Sequence, residues 1–190
     1  MKIFDYDLKA LKKLTHDEIA KNRSTLDSLY KVKKLPVYVV LNSIRSSYNV
    51  GSIFRTSDGA MIEKLYLCGY TPYPPHPDLP KGNKDVLKTS LGSTDSVIWE
   101  YVKDPKDVIR KMKAEGIKVC ALELTDNSTP YYELQKDILP LCLVVGNEIT
   151  GVSQELLDMC DFSIEIPQFG IKQSLNVAVA YGVTIFRLRE

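Results

Sequence analysis

From residue 36 onward, short apolar runs alternate with segments that have the spacing and end signals of helices. The apolar runs, each four to six residues long, cover residues 37–41, 64–68, 96–99, 117–122, 141–145 and 162–166. The helical segments cover residues 50–60, 105–115, 153–160 and 174–187. Because parallel strands need long crossover connections, this alternation predicts an α/β fold with a mostly parallel six-stranded sheet and helices on both faces.

The N-terminal segment does not share this alternation. Residues 1–35 carry nine Lys and Arg side chains against five acidic ones, whereas the remaining residues carry 16 and 19. A loose apolar stripe runs through the segment, which predicts a helical, basic N-terminal arm over residues 1–35 and one domain over residues 36–190. A basic arm suits contact with a polyanion, and it also suits an ordinary solvated helix. Charge alone leaves both interpretations open.

A second departure is the stretch from residue 71 to 83, which contains five prolines. Proline removes backbone donors and restricts the residue before it, so this stretch is predicted to be an irregular loop. Long loops in compact domains are often functional, which makes it a candidate substrate-facing segment. We expect His76, within this loop, to be exposed to solvent rather than catalytic.

Composition excludes several classes of protein. The chain has 190 residues, of which 44% are hydrophobic and 26% are charged, which permits a sizeable core and is not typical of disorder. Its longest apolar runs are far shorter than the ~20 residues that span a membrane, and its start lacks the apolar core of a secretion signal. We therefore expect a cytoplasmic protein that does not enter a membrane. The four cysteines and two histidines lack the spacing of metal ligands, so we expect reduced, mostly buried thiols and no metal site.

Polar segments that contain glycine follow three of the predicted strands, at residues 42–55, 146–153 and 166–177. Ligands of open α/β sheets bind at the carboxyl ends of the strands, so these segments form the candidate site. The sequence contains neither a G-x-G-x-x-G nor a G-x-x-x-x-G-K-[ST] pattern, and its two histidines give no credible catalytic triad. A dinucleotide fingerprint, a P-loop and serine hydrolase chemistry are therefore excluded.

Position alone suggests local roles for the polar residues in these segments. Asn49 is expected to be a helix N-cap, with Arg55 nearly two turns further along the same helix. Glu148 is either a capping carboxylate for the helix that follows it or a functional group. One of Ser174 and Asn176 is expected to cap the last helix.

Taken in order, the three segments resemble the three sequence motifs of the SpoU/TrmH family of RNA ribose 2′-O-methyltransferases, within the SPOUT superfamily. Residues 49–55 read N-V-G-S-I-F-R, residues 146–151 read G-N-E-I-T-G, and residues 166–177 read I-P-Q-F-G-I-K-Q-S-L-N-V. Residues 87–93 and 120–123 resemble further family segments, and the match spans residues 36–187.

The resemblance implies an S-adenosylmethionine-dependent enzyme that methylates a ribose 2′-hydroxyl of RNA. It also implies a C-terminal trefoil knot, formed after the run at residues 141–145, and a homodimer whose interface includes the apolar C-terminal helix. The N-terminal arm is shorter than the RNA-binding domains of larger rRNA-modifying relatives, which favours tRNA over rRNA as the partner. Two alternatives stay open: a catalytically inactive SPOUT-fold RNA-binding protein, and a SPOUT relative that methylates a base.

Site roles follow from the same resemblance. Backbone groups at four positions would hold the cofactor: Leu122, Gly146, Ile166 and Leu175. Ser174 would contact either the RNA or the cofactor. Glu148 and Asn176 would support the active-site loops, while Asn49 and Arg55 would face the target ribose. A guanidinium group stays protonated in proteins, so Arg55 fits a role in binding phosphate and orienting the 2′-hydroxyl better than the role of a general base.

Overall fold

The computed structural model describes residues 11–21, 24–79 and 81–190. The chain divides into two compact units, Met1–Val32 and Lys33–Glu190. In the first unit, helix α1 (His16–Lys21) precedes a 3-10 helix, Leu26–Lys31. The Glu18 carboxylate accepts the Thr15 N–H at 2.8 Å, so the start of α1 is capped from within the helix. Residues 1–10, 22 and 23 of the predicted arm lie outside the described residues.

In the described part of the second unit, seven strands form one sheet whose strand pairings are all parallel. They are β1 (Leu35–Asn42), β2 (Ile62–Cys68), β3 (Trp99–Val102), β4 (Lys118–Leu122), β5 (Thr129–Pro130), β6 (Leu141–Val145) and β7 (Phe162–Glu165). Their order across the sheet is β3-β2-β1-β6-β4-β7-β5. The prediction of an α/β fold with a parallel sheet is confirmed.

The predicted strand count and the position of the third strand were wrong. The seventh strand, β5, is only two residues long, and so short a segment carries no periodic signal in the sequence. The third strand begins at Trp99 rather than at Ser96, because Ser96 ends a short helix and its hydroxyl donates to Asp58 and to the Ser93 carbonyl.

Among the described residues of the second unit, six α-helices accompany the sheet: α2 (Ser47–Ala60), α3 (Lys84–Ser90), α4 (Ser93–Ser96), α5 (Pro105–Ala114), α6 (Gln154–Leu157) and α7 (Val177–Arg189). Two 3-10 helices, Tyr131–Glu133 and Lys136–Ile138, lie between β5 and β6. Asp104 caps α5 as its sequence predicts, accepting the Lys106 N–H at 2.9 Å. Helix α2 starts earlier than predicted, because Ser46 rather than Asn49 is its N-cap. Helix α6 is shorter than the predicted segment at residues 153–160.

Apolar side chains cover both faces of the sheet. On one face, α2 and α7 contribute fully buried residues such as Phe54 and Tyr181, and on the other face α5 and α6 contribute Ile109 and Leu156. The Tyr181 hydroxyl lies 2.8 Å from Ser57 Oγ, which joins α7 to α2, and burial raises the pKa of Tyr181. The prediction of helices on both faces is confirmed.

The cysteines behave as the sequence predicts. Cys68, Cys120 and Cys142 are buried, Cys160 is half-buried, and all four are free thiols. Burial raises the pKa of Cys160 to about 11 and that of Cys68 to about 12, so both stay protonated near neutral pH.

The proline-rich stretch is irregular, as predicted. Within its described part, residues 71–79 and 81–83, there is no helix and no strand beyond an isolated bridge between His76 and Leu79. About half of the His76 side chain is exposed, and its ring packs edge-on against Trp99 with the centroids 5.8 Å apart.

Candidate active site

The three polar segments meet at the carboxyl edge of the sheet. Strands β1 and β6 are neighbours in register, so the loop after Asn42 lies beside the loop after Val145. Strand β7, two positions from β6, sends its following chain, residues 166–176, back to the start of α7. Side chains far apart in sequence are thereby placed within hydrogen-bonding distance.

Glu148 connects the loop after β6 to the start of α2. Its carboxylate accepts the backbone N–H of Arg45 at 2.7 Å and that of Ser46 at 3.1 Å, and it accepts Asn49 Nδ2 at 3.0 Å. Glu148 therefore does not cap the helix that follows it in sequence, which was one of its two predicted roles. It holds the segment before α2 instead, and Ser153, the N-cap of α6, makes no side-chain cap hydrogen bond.

Asn49 extends this connection to the third segment. Its Oδ1 accepts Asn176 Nδ2 at 3.1 Å, while Asn176 Oδ1 accepts the N–H groups of Ala178 and Val179 at 2.9 and 3.4 Å. Asn176, rather than Ser174, is thus the N-cap of α7. One hydrogen-bonded chain, Glu148–Asn49–Asn176, joins all three sequence motifs.

The hydrogen bonds determine the charge state of Glu148. Partial burial by itself would raise the pKa of Glu148, but the donors from Arg45, Asn49 and Ser46 outweigh it and hold the pKa below the ordinary 4.5. Because the pKa of Glu148 is lower in the folded state than in the unfolded state, its ionised carboxylate stabilises the fold at pH values above the unfolded-state pKa. This contribution is lost as the pH falls through the folded-state pKa.

We expect the Glu148→Gln variant to be less stable than the wild type at pH 7 by about 1 kcal/mol. The reason is that an amide offers one acceptor oxygen to the three donors that the carboxylate now accepts. The effect is no larger because the site is partly solvated. The difference should narrow as the pH falls through the lowered pKa of Glu148, because the wild-type carboxylate then becomes protonated. Urea unfolding at a series of pH values measures it. A stability difference that stays constant from pH 7 to pH 3 would contradict this assignment of the carboxylate.

A cavity of about 880 Å³ lies next to this chain, between the loops that follow β4, β6 and β7. Its lining includes all the residues that the family resemblance assigns to cofactor binding: Leu122, Gly146, Ile166, Ser174 and Leu175. Glu148 and Asn176 also line it, whereas Asn49 and Arg55 do not. None of residues 169–175 makes a hydrogen bond to another described residue, so their backbone groups are open to a ligand or to water.

Arg55 and Ser174 stand apart from the hydrogen-bonded chain. Arg55 is exposed, about 9 Å along α2 from Asn49 and about a third of a turn around it. Its guanidinium group makes no hydrogen bond or ion pair with another described residue, and neither does the Ser174 hydroxyl. The structure therefore joins three of the five predicted catalytic residues and leaves two with unengaged side chains.

Two further residues shape the site, and the sequence motifs contained them without revealing their roles. Asn147 is only 7% exposed: its Nδ2 donates to the Ser43 carbonyl at 2.7 Å, and its Oδ1 accepts the N–H of Ile149 at 2.9 Å. Glu123 accepts the Val152 N–H at 2.8 Å and so ties the loop after β4 to the loop after β6. An Asn directly after a glycine is a signal for such a turn, but it does not identify the distant partner.

Within residues 11–21, 24–79 and 81–190, no group of three or more His, Cys, Asp or Glu side chains is placed to hold a metal ion. In the same described ranges, none of the helices has the length and apolar character needed to cross a membrane.

The fold and the site define an α/β protein with a cavity among loops at the carboxyl ends of parallel strands, the place where open α/β sheets bind ligands. The model of the SpoU rRNA Methylase family matches residues 36–186, which include the whole of this edge of the sheet. The chain belongs to the SpoU rRNA Methylase family, as its motifs predict.

Individual relatives are similar over most of the chain. The tRNA (guanosine(18)-2′-O)-methyltransferase of Aquifex aeolicus is 29% identical over 174 residues, which are 90% of this chain and 77% of that protein. The crystal structure of the A. aeolicus TrmH/SpoU tRNA modifying enzyme matches with a TM-score of 0.72 at 30% identity, covering 86% of this chain and 80% of that one. The crystal structure of the AdoMet-bound rRNA methyltransferase of Sinorhizobium meliloti matches with a TM-score of 0.71 at 29% identity, covering 83% of this chain and 60% of that one. The chain spans less than two thirds of the length of several other relatives. It covers 62% of the tRNA (guanosine(18)-2′-O)-methyltransferase of Escherichia coli, for example.

Proposed function

We propose that the protein is an S-adenosylmethionine-dependent methyltransferase that modifies a ribose 2′-hydroxyl of RNA, with tRNA as the substrate class. The observation that carries this proposal is the hydrogen-bonded chain Glu148–Asn49–Asn176, which unites the three family motifs beside one cavity. The tRNA assignment is supported by the A. aeolicus relative, which is named for tRNA and covers 90% of this chain.

The cavity suits the proposed cofactor. Its volume lies within the range of small-molecule sites, and it combines apolar walls with the open backbone groups of residues 169–175. Leu122, Ile166 and Leu175 would enclose the adenine, while the backbone at Gly146 would approach the ribose and methionine parts. When bound, S-adenosylmethionine supplies a methyl group already activated by its sulfonium charge.

The protein's own groups would position the RNA. Asn49 binds Glu148 through its Nδ2 and accepts Asn176 Nδ2 at its Oδ1, so the task of the two asparagines is to fix the loops around the reacting ribose. Arg55, exposed and without a partner among the described residues, is free to bind a phosphate, orient the adjacent 2′-hydroxyl and stabilise the negative charge that develops on its oxygen. Ser174, on the cavity wall, would contact the RNA or the cofactor.

We also propose the family's trefoil knot and its homodimer for this chain. The knot would involve the chain after β6 through residues 166–176, and the convergence of both loops on one cavity supports that location. The dimer is supported by α7, which buries Tyr181 and Ile185 but leaves Val179 52% and Phe186 45% exposed. An exposed apolar stripe on an otherwise buried helix is typical of a contact between subunits.

The domain organisation follows from the same proposal. Residues 36–190 would form the methyltransferase domain, and the basic segment at residues 1–35 would add positive charge for RNA. Such an enzyme would act in the cytoplasm, where tRNA is processed.

Transfer of labelled methyl from S-adenosylmethionine to unmodified tRNA, and separately to unmodified rRNA, tests the proposal. We expect tRNA to be labelled and rRNA to be labelled weakly or not at all. Labelling of rRNA alone would reverse the assignment of the RNA class. Cofactor and RNA binding without transfer to either pool would instead indicate the catalytically inactive RNA-binding protein.

A further inference from the structure

A row of exposed side chains leads along the carboxyl edge of the sheet towards the candidate active site. Strands β3, β2, β1 and β6 are consecutive neighbours, so the loops that follow them lie side by side. The first three loops present Lys103, Tyr70 and Arg45 in that order, and the fourth carries Glu148. The site described above uses none of the first three side chains.

Tyr70 is the aromatic member of this row. Its side chain is 64% exposed, yet its hydroxyl is fixed, because Asn147 Nδ2 donates to it at 2.8 Å. The same Nδ2 donates to the loop after β1, so the Tyr70 ring is attached to the turn that lines the cofactor cavity. One end of the ring is held while the rest of it faces solvent.

The backbone beneath Tyr70 is equally constrained. Thr71 is buried, and its hydroxyl donates to the Leu41 carbonyl at 2.9 Å and accepts the Ile44 N–H at 3.0 Å. Gly69 has a φ of +63°, a conformation that favours glycine, and a Cβ there would come against the hydroxyl of the Ser43 side chain. An aromatic ring on so rigid a turn loses little conformational freedom when a ligand packs against it.

Positive charge flanks the ring on both sides. The side chains of Arg45 and Lys103 are exposed, and neither pairs with another described residue. The acid nearest in sequence, Asp104, is engaged as the N-cap of α5 and lies 3.8 Å from Lys106. A solvent-exposed aromatic ring between cationic side chains that form no ion pair with a described residue is typical of sites that bind unpaired nucleotides, because bases stack on the ring and phosphates pair with the charges.

We propose that Tyr70 is a stacking platform for a base of the RNA substrate, with Arg45 and Lys103 binding the phosphates on either side of that base. This inference rests on the proposed function and identifies where the strand would run: along the loops after β3, β2 and β1 to the reacting ribose. An unpaired base can stack on the ring, whereas a base inside an RNA helix cannot, because both of its faces already stack on neighbouring bases.

The affinity for fluorescein-labelled, unmodified tRNA, measured by fluorescence anisotropy, tests the platform. We expect the Tyr70→Leu variant to bind tRNA about 5- to 150-fold more weakly than the wild type, the loss of one base–aromatic stack. The Tyr70→Phe variant keeps the ring and should bind within about threefold of the wild type. Tyr132→Ala, which alters a similarly exposed tyrosine elsewhere on the domain, serves as the matched control. S-adenosylmethionine affinity should be unchanged in all three.

The salt dependence of binding separates stacking from charge. Arg45→Gln and Lys103→Gln should each reduce the slope of the logarithm of tRNA affinity against the logarithm of salt concentration by about 0.7 to 0.9. Tyr70→Leu should weaken binding without changing that slope, and Lys118→Gln, an exposed lysine at the opposite edge of the sheet, should change neither quantity.

The results also separate this inference from the proposed function. Wild-type tRNA affinity in Tyr70→Leu, or an equal loss in Tyr70→Phe, would overturn the platform while leaving any measured methyl transfer intact. A weakened Tyr70→Leu variant of a protein that transfers no methyl group would support the platform and refute the methyltransferase. No tRNA binding by the wild type would refute both.

Discussion

Arg55→Ala will reduce the rate of methyl transfer to RNA by about 100- to 1000-fold while leaving S-adenosylmethionine affinity within about threefold of the wild type. The reason is positional: Arg55 is exposed on α2 and does not line the cofactor cavity. Its proposed task is to orient the ribose and stabilise charge that develops during transfer, and loss of one such group costs a factor of this size. Single-turnover transfer and calorimetric cofactor titration measure the two quantities.

The Arg55→Lys variant refines this prediction. Lysine retains the charge but lacks the planar fork that binds a phosphate through two hydrogen bonds, so partial activity is expected. Full activity in Arg55→Ala would remove Arg55 from the reaction. Loss of cofactor binding in that variant would show that the residue supports the cavity instead of facing the RNA.

The second large effect is expected at Gly146, the first residue after β6. A Cβ at this position would lie 2.3 Å from the Gly151 carbonyl carbon, 2.4 Å from the Val152 nitrogen and 2.5 Å from the Gly151 oxygen. All three are backbone atoms of the facing turn, so a side chain cannot be accommodated by a change of rotamer. Gly146→Ala must therefore displace the turn that carries Glu148, and we expect S-adenosylmethionine affinity to fall by roughly 100-fold.

Gly170→Ala provides the matched control for this change. Gly170 lines the same cavity, but a Cβ there would meet no atom within 4 Å. The S-adenosylmethionine affinity of Gly170→Ala should stay within a few-fold of the wild type. Urea unfolding of both variants would show whether Gly146→Ala disrupts only the cofactor site or the whole fold. Equal cofactor affinities in the two variants would contradict the close approach of the two turns.

The sequence predicts those elements of the fold whose pattern of residues is long and local. The run Leu141–Val145 was predicted with its observed bounds, because five apolar residues between polar loops in a buried parallel strand give a continuous pattern. Asp104 and Pro105 likewise marked the start of α5. The third strand was misplaced because Ser96 binds Asp58, a contact between residues 38 positions apart that no local pattern reports.

The candidate site shows the same limit. The residue types and their order predicted which three segments form it, and all three do meet. The pairing of the Glu148 carboxylate with the N–H groups before α2 was not predictable from spacing, because more than 100 residues separate the partners and only the neighbouring positions of β1 and β6 bring them together. The anchoring of the Tyr70 ring was not predictable either, because its partner Asn147 lies in the loop after a different strand.

The central claim, methylation of a ribose 2′-hydroxyl of tRNA, is tested most directly by mass analysis of nucleosides. Unmodified tRNA would be incubated with the protein and S-adenosylmethionine and then digested to nucleosides, with Arg55→Ala as the parallel control. We expect one nucleoside to gain a methyl group that stays with the ribose fragment, and we expect much less of that product in the control after the same short incubation. A methyl group found on the base fragment, or no methylated nucleoside despite intact cofactor binding, would contradict the claim.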